Sequence, residues 1–207
     1  MPEVRFTRED IVDAAFAVTR KHGWEKCTAR MIARELGSST MPIYSGLSCM
    51  QKLKDAIARQ AGDMLIQYQT KERSGWRFLD MGIGYVLFAQ NEKNLFRMLY
   101  FKESREDKSP GRIGVHRGYV LETIRGRLHD EAVLPGFSRT EKEDILYKMW
   151  IFSHGLAVLS NNGVIGEMTE EEVTKILMET GNTVIAGKKA EKKGTPPVKP
   201  RAKEENK

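Results

Sequence analysis

The chain has few of the residues from which metal sites, disulfides and redox centres are built. Its 207 residues include two cysteines, Cys27 and Cys49, and four histidines. There is no Cys-x-x-Cys pair, and the histidines lie far apart without the spacing of metal ligands. We therefore expect no metal and no cofactor. The cysteines remain open to two interpretations, as a redox sensor or as small, partly buried packing residues.

Patterns typical of catalysis and of membrane insertion are missing as well. No serine stands in a nucleophile elbow, and no glycine-rich phosphate loop is present. The most apolar region, residues 81–101, is interrupted by polar residues at 90–94, so it cannot span a bilayer. The N-terminal residues are charged and polar, unlike a secretory signal. These absences favour a non-enzymatic protein of the cytoplasm.

Positive charge is abundant but concentrated at one end of the chain. The net charge is +6, and residues 188–207 hold eight Lys or Arg against three Glu. This segment also has three prolines and a single large apolar residue, so we expect a disordered basic tail. The tail either binds DNA non-specifically or keeps the protein in solution. The rest of the chain is close to neutral, and a DNA-binding face there needs its cations segregated on one side.

The sequence is rich in apolar residues at helical spacing, and it contains no strand pattern of any length. The fold class is therefore all-α. Capping boxes are predicted at Thr140–Glu143 and Thr169–Glu172, each before an apolar segment. Gly187 followed by lysines predicts the end of the last helix. The predicted helices cover approximately residues 8–22, 28–36, 39–47, 49–70, 76–89, 94–101, 115–129, 145–159 and 173–187, with a loop at 103–114.

The segment that begins at Thr28 is the one around which the rest of the chain is organised. Thr28 can cap a short helix through its hydroxyl, and Gly37 supplies the left-handed residue that ends it. A second helix is expected over Ser39–Leu47, with Pro42 in its first turn, where a missing N–H costs little. Two short helices joined by a glycine turn predict a helix-turn-helix. The second helix of such a motif fits the major groove of DNA.

The order and spacing of eleven residues within the first 58 make this prediction more specific. They are Ile11, Ala14, Ala15, Gly23, Thr28, Ile32, Ala33, Leu36, Gly37, Tyr44 and Leu53. In this pattern the chain resembles the TetR family of bacterial repressors. The resemblance implies a DNA-binding domain at residues 1–58 with its helix-turn-helix at about 31–50. It also implies a homodimer that binds a double-stranded, palindromic operator as a repressor and is released by a small molecule.

The residues expected to contact DNA combine base-reading and phosphate-binding side chains. Thr40 and Met41 can reach base edges, whereas Thr28 suits a phosphate, and the resemblance implies that Tyr44 hydrogen-bonds a phosphate. The family usually has a lysine at the position of Met50 that meets the DNA backbone; here Lys52 or Lys54 could substitute for it, but from a different face of the helix. The full set is Thr28, Arg30, Ser39, Thr40, Met41, Tyr44 and Lys52.

Three positions depart from the family's pattern. Gly46, Leu47 and Met50 stand where the family usually has a basic or polar residue, an aromatic residue and a lysine. No Arg, Asn or Gln lies between Gly37 and Met50, so the strong bidentate contacts to guanine or adenine are missing. These departures keep an alternative open: a dimeric ligand-binding or protein-interaction module whose helix-turn-helix has lost tight operator binding.

The C-terminal half carries a second resemblance, to one ligand-domain type of the same family. The matching segments are Trp150-x-x-x-His154-Gly-Leu-Ala157 and the aromatic run Leu95–Phe101. The resemblance implies a regulatory domain of about six helices at residues 59–187, with dimerisation through the helices at about 140–160 and 169–187. Pockets are mainly apolar, so an apolar or aromatic effector is expected, although each candidate side chain could instead be plain core. The candidate pocket residues are Trp76, Met81, Tyr85, Phe88, Phe96, Phe101, Trp150 and His154.

Overall fold

The computed structural model describes residues 6–46, 49–101, 134–192 and 194, and this part of the chain is helical without a strand. The helix predicted at 115–129 and the loop predicted at 103–114 lie outside the described residues. The eight described helices confirm the predicted all-α class. They are α1 (Arg8–His22), α2 (Ala29–Glu35), α3 (Met41–Gly46), α4 (Met50–Thr70), α5 (Arg77–Asn91), α6 (Lys93–Tyr100), α7 (Arg139–Asn161) and α8 (Glu170–Lys192), with a short 3₁₀ turn at Trp24–Lys26.

Hydrogen bonds between neighbouring residues set the starts of α1 and α2 and the end of α2. Thr7 and Asp10 form a capping box at the start of α1. The Thr28 hydroxyl accepts a hydrogen bond from the amide of Met31 at 3.3 Å and caps α2. Gly37 has a φ of +63°, and the amide of Ser38 returns to the carbonyl of Ala33 at 2.9 Å, which is the glycine-terminated end expected of α2.

The second helix of the helix-turn-helix begins two residues later than predicted. The sequence predicts a start at Ser39, but α3 begins at Met41, and the carbonyl of Thr40 accepts the first helical hydrogen bonds, from Ile43 and Tyr44. Ser39 is still part of the turn, where its carbonyl accepts from the Ser38 hydroxyl. Because the turn after Gly37 uses these residues, the helix cannot start earlier.

Helix α4 belongs to two hydrophobic cores. Near its start, Leu53 and Ile57 pack with α1, α2 and α3, whereas Ala61 and Leu65 pack with the later helices. The N-terminal core contains Ile11, Ala14, Ala15, Val18, Cys27, Ile32, Ala33, Ile43, Leu53 and Ile57. One rigid helix therefore connects the helix-turn-helix to the rest of the fold.

Helices α4 and α5 cross in direct contact at a glycine. A Cβ on Gly84 would lie 2.7 Å from the Cα of Gln69 and nearer still to the carbonyl oxygen of Tyr68. Such distances leave no room for any side chain at this position. Gly84 thus fixes how the end of α4 packs on α5.

Helices α7 and α8 pair antiparallel against α5, with two differences from the predicted boundaries. The capping box before α7 is formed by Ser138 and Glu141, not by Thr140 and Glu143, because the turn through Gly136 (φ +81°) delivers Ser138 in the extended conformation of an N-cap. The box at Thr169–Glu172 is confirmed.

The end of α8 is the second difference. The sequence predicts an end at Gly187, but the helix continues to Lys192. The amine of Lys188 lies 2.7 Å from the carboxylate of Asp144, and the amine of Lys192 lies 3.1 Å from that of Glu141. These ion pairs hold the last turn of α8 against α7. The remainder of the predicted tail, apart from Gly194, lies outside the described residues.

Candidate functional site

The helix-turn-helix carries a surface groove between α2 and α3. Four of the predicted DNA contacts meet there, and sequence reasoning missed two further polar neighbours, Arg34 and Ser38. Arg34 follows Arg30 by one helical turn, a spacing that could have revealed it. The lining side chains include two guanidinium groups and no carboxylate, so the groove is cationic. The groove is lined by Thr28, Arg30, Met31, Ala33, Arg34, Ser38, Ser39 and Thr40.

Helix α3 turns one face to the core and the other to solvent. Ile43 is buried in the N-terminal core, whereas Met41 is 76% exposed and Tyr44 is 73% exposed. Exposed side chains of this size are uncommon without a partner surface when they stand together. The two residues are three apart and therefore share the outer face of α3.

Lys52 lies away from this groove. It lines a separate surface between α1 and α4, together with Arg8, Asp55 and Arg59. The amine of its neighbour Lys54 lies 5.5 Å from the ring centroid of Trp24. The structure therefore gathers Thr28, Arg30, Ser39 and Thr40, but it does not bring Lys52 to them; whether these side chains contact DNA stays a prediction.

The two cysteines occupy different environments. Cys27 is buried in the N-terminal core, where its thiol contacts the carbonyl oxygen of Ala15 at 3.6 Å. Burial raises the pKa of the Cys27 thiol, so less of the reactive thiolate forms near neutral pH. Cys27 thus acts as a packing residue, while Cys49 is exposed at the N-cap position of α4.

Apart from the surface groove, a cavity lies between α4, α5, α7 and α8. Its walls are almost wholly apolar, and its volume is about 60 Å³. It is smaller than the roughly 150 Å³ of an apolar cavity that binds benzene, so a ligand of that size requires the walls to move. The lining residues are Gln69, Trp76, Phe78, Leu79, Met81, Gly82, Tyr85, Leu146, Met149, Trp150, Ser153, Leu177 and Gly181.

The predicted pocket residues divide into two groups. Four of them, Trp76, Met81, Tyr85 and Trp150, line this cavity. The other four do not line it. Phe88 and Phe96 are fully buried in the C-terminal core, Phe101 packs on Phe96 with ring centroids 6.0 Å apart, and His154 lies beside Tyr85.

His154 joins a cluster of rings at the edge of the cavity. Its Nδ1 lies 2.8 Å from the hydroxyl oxygen of Tyr85, and its ring stacks on Trp150 at 5.5 Å between centroids. The rings of Phe96 and Tyr100 complete the cluster. Tyr85 and Trp150 also line the cavity, so the cluster adjoins the cavity through these two rings.

Gln69 is the cavity residue that sequence reasoning missed most completely. It is only 5% exposed and continues the buried stripe of α4 one turn beyond Leu65. A polar residue at the place where an apolar stripe should continue is a signal that could have been found. Its Nε2 contacts the carbonyl oxygen of Met81 at 3.5 Å, and its Oε1 is buried without a hydrogen-bond partner among the described residues.

A polar contact joins the N-terminal unit to the C-terminal helices. Glu92, at the junction of α5 and α6, is only 4% exposed and binds the half-exposed Arg20 of α1 through both carboxylate oxygens, with Nε to Oε2 at 2.6 Å. This hydrogen bonding raises the pKa of Arg20. The side-chain amide of Asn94 also donates to the carbonyl of Arg20 at 3.0 Å. Hence α1 is held directly against the junction of α5 and α6.

Helices α7 and α8 carry apolar side chains on their outer surface. Most of them are on α7, where Tyr147 and Ile151 lie one helical turn apart on one face. In the described part of the chain no other helix covers them. The exposed members are Tyr147, Ile151, Phe152, Leu159 and Met178.

The described residues form neither a cluster of metal ligands nor a membrane-spanning helix. No three His, Cys, Asp or Glu side chains among them are grouped so that they could hold a metal ion. None of the described helices is long and apolar enough to cross a bilayer.

Comparison with solved structures identifies the fold. A transcriptional regulator from Rhodococcus sp. RHA1 superposes with a TM-score of 0.65 at 19% identity, over 88% of this chain and 97% of that one. A protein of unknown function from Rhodococcus sp. RHA1 gives 0.63 at 18% identity, over 90% and 98%. A variant of TetR from Acinetobacter baumannii AYE in complex with minocycline gives 0.53 at 14% identity, over 95% and 99%.

The likeness is one of fold rather than of sequence. No protein-family model matches the chain, and no curated protein matches it. The structural matches nevertheless cover 88% and 95% of this chain in the Rhodococcus regulator and in the TetR variant. The chain has the all-helical fold of the TetR family of transcriptional regulators.

Proposed function

We propose that this protein is a ligand-responsive, DNA-binding transcriptional regulator of the cytoplasm. It binds a palindromic operator as a homodimer, represses, and is released by a small apolar or aromatic molecule. The observation that carries this proposal is the outer face of α3, where Met41 and Tyr44 are exposed next to the cationic groove. An α-helix fits the major groove, where a methionine side chain can contact the thymine methyl group.

The groove supplies contacts of the kind that position a protein on DNA. Arg30 and Arg34 can bind phosphates, and the hydroxyls of Thr28, Ser39 and Thr40 can donate to phosphate oxygens. Such contacts make the affinity fall steeply with salt. Base reading then depends on Thr40 and Met41, so we expect the operator preference to be set by apolar and hydroxyl contacts.

Dimerisation is supported by the outer surface of α7 and α8. Its exposed apolar side chains include Tyr147 and, one helical turn later, Ile151. Symmetric dimers are the commonest oligomers, and a two-fold axis presents two recognition helices to a palindrome. The same face on two subunits would bury these side chains in a bundle of four helices.

Ligand control is supported by the apolar cavity beside α4. A ligand can shift the protein only through different affinities for the DNA-bound and free conformations. Since the cavity is small, a ligand must separate α4, α5 and α7 to enter, and α4 also carries part of the N-terminal core. Ligand entry and the position of the helix-turn-helix are thereby coupled.

Operator binding is tested with DNA from upstream of the protein's own gene and with a selection of bound fragments from the whole genome. We expect a dissociation constant of roughly 10⁻⁸ to 10⁻¹¹ M for the operator and a strong dependence on salt. Equal affinity for selected and random duplexes at every salt concentration would contradict the proposal. That outcome would favour the alternative, a dimeric binding module, which the residues Gly46, Leu47 and Met50 motivate.

A matched pair of variants tests the geometry of the DNA complex. Met50 is exposed in the first turn of α4, so Met50→Lys adds a cation near the family's usual phosphate contact. Val164→Lys adds the same charge in the exposed loop between α7 and α8. Met50→Lys should tighten operator binding and steepen the slope of log K against log salt by about 1 per subunit. Equal behaviour of the two variants would show that the charge acts non-specifically.

A further inference from the structure

The buried amide side chains of the C-terminal core differ in how completely they are hydrogen-bonded. Gln90 donates to the carbonyl of Met168 at 3.0 Å and accepts from Ser160 at 2.7 Å. Asn161 donates to the carbonyl of Ala89 at 2.9 Å and accepts from Arg97 at 3.0 Å. Both amides therefore use their oxygen and their nitrogen, as buried polar groups normally do.

Gln69 is the exception. Within the described part of the chain, its nitrogen has one contact at 3.5 Å, the outer limit of a hydrogen bond, and its oxygen has no partner. An unsatisfied buried acceptor destabilises a folded protein, so an apolar residue would suit this position better in the absence of a ligand. The close approach of Gly84 to the Cα of Gln69 fixes the backbone of Gln69 beside α5, and its side chain lines the cavity.

We propose that Gln69 is the polar anchor of the ligand cavity, and that the effector is an apolar or aromatic molecule that carries one hydrogen-bond donor. The inference rests on the proposed ligand site and specifies it further. The apolar walls recognise the body of the molecule, and Oε1 of Gln69 accepts from its hydroxyl or N–H group. A molecule without a donor leaves Oε1 unpaired and binds more weakly for its size.

The test compares two probes of nearly equal shape, phenol and toluene, which differ in the donor. Binding is followed through the fluorescence of Trp76 and Trp150, both of which line the cavity. Water solvates phenol better than toluene, so the ratio of their affinities in one protein is not decisive. The decisive quantity is the change of that ratio between wild type and Gln69→Met, which keeps the length of the side chain but removes the acceptor.

Gln67→Met is the matched control, because Gln67 stands on the exposed face of the same helix. In Gln69→Met the phenol-to-toluene affinity ratio should fall by about tenfold, the factor expected for one buried hydrogen bond. In Gln67→Met it should not change. A ratio that changes by less than twofold in Gln69→Met overturns the inference, while the cavity remains a ligand site.

A second measurement needs no ligand. If Gln69 serves a ligand, Gln69→Met should unfold at the same or a higher denaturant concentration than wild type; a lower midpoint would mean that Gln69 is structural. The smaller Gln69→Leu gives the same comparison if the methionine variant does not fold. Failure of both probes to bind wild type would remove the cavity as a ligand site and the inference with it. Operator affinity, measured separately, would still decide whether the protein regulates transcription.

Discussion

Gly84→Ala offers the sharpest test of how α4 and α5 are joined. The added Cβ would lie 2.7 Å from the Cα of Gln69 and nearer still to the carbonyl oxygen of Tyr68. Both atoms belong to the backbone of α4, so no side chain can turn away to relieve the clash. The two helices must separate, and a gap of about 0.5–1 Å already forfeits a quarter to a half of the dispersion energy of the atoms concerned.

The expected magnitude follows from two opposing effects. Replacing a glycine inside a helix by alanine favours the helix by about 1 kcal/mol. Overpacking a tight core costs typically about 1–3 kcal/mol and occasionally more, and a backbone clash belongs at or above the upper end of that range. We therefore expect Gly84→Ala to lower the free energy of unfolding by about 2 kcal/mol or more.

Gly82→Ala is the matched control on the same helix. Its Cβ would lie 3.1 Å from Cδ1 of Leu177 and 3.5 Å from Oγ of Ser153, and the leucine side chain can give way. The helix-propensity gain then offsets most of the crowding, so stability should remain within about 1 kcal/mol of wild type. Urea unfolding at one fixed protein concentration measures both variants, since a dimer's stability depends on concentration. Gly84→Ala with wild-type stability would refute the close crossing.

Three further changes probe other contacts. Glu92→Gln removes the carboxylate that binds Arg20 and should lower the free energy of unfolding by about 1 kcal/mol, less at high salt, because Arg20 is half-exposed. The hydrogen bond from Lys188 lowers the pKa of Asp144 in the folded protein. The ionised Asp144 therefore stabilises the fold above its unfolded-state pKa, and this stabilisation is lost as pH falls through the folded-state pKa. Asp144→Asn should flatten the acid limb of a curve of unfolding free energy against pH. Ile151→Glu puts a charge on the outer face of α7 and should give a folded monomer in sedimentation analysis; a dimer of unchanged affinity would contradict the proposed interface.

The features that could be predicted from sequence are those in which neighbouring residues decide the structure. Thr28 caps α2 because its hydroxyl reaches an amide three residues later, and Gly37 ends α2 because a left-handed residue is needed there. Both depend on local geometry alone. The helix-turn-helix was accordingly predictable apart from the two-residue shift in the start of α3.

Boundaries that depend on distant residues could not be predicted. Ser138–Glu141 and Thr140–Glu143 both have the spacing of a capping box, and the turn at Gly136 selects the first. Gly187 would end an isolated helix. The helix continues here because Lys188 forms an ion pair with Asp144 on α7. Pairing across the fold outweighs the local stop signal.

The residues that line the cavity were also only partly predictable from the sequence, for the same reason. Aromatic residues such as Trp150 could be assigned to the C-terminal helices from their spacing, but spacing does not distinguish a cavity wall from the core in which Phe88 is buried. Gln69 reaches the cavity only because α4 and α5 approach at Gly84. The polar residue within the apolar stripe of α4 is visible in the sequence, but the cavity that it lines is not, because several helices form that cavity together.

The positions of Gln69 and Arg20 together constrain how a ligand could act on DNA binding. Gln69 and Leu53 are both on α4, and a helix rises 1.5 Å per residue, so the ligand anchor lies about 24 Å from the helix-turn-helix core along one rigid rod. The N-terminal unit is also fastened to the α5–α6 junction through Arg20 and Glu92. In the proposed ligand response, a movement of α4 at the cavity would therefore act on the N-terminal unit against this second attachment at α1. The direction in which α3 turns would then depend on the Arg20–Glu92 contact as well as on the ligand.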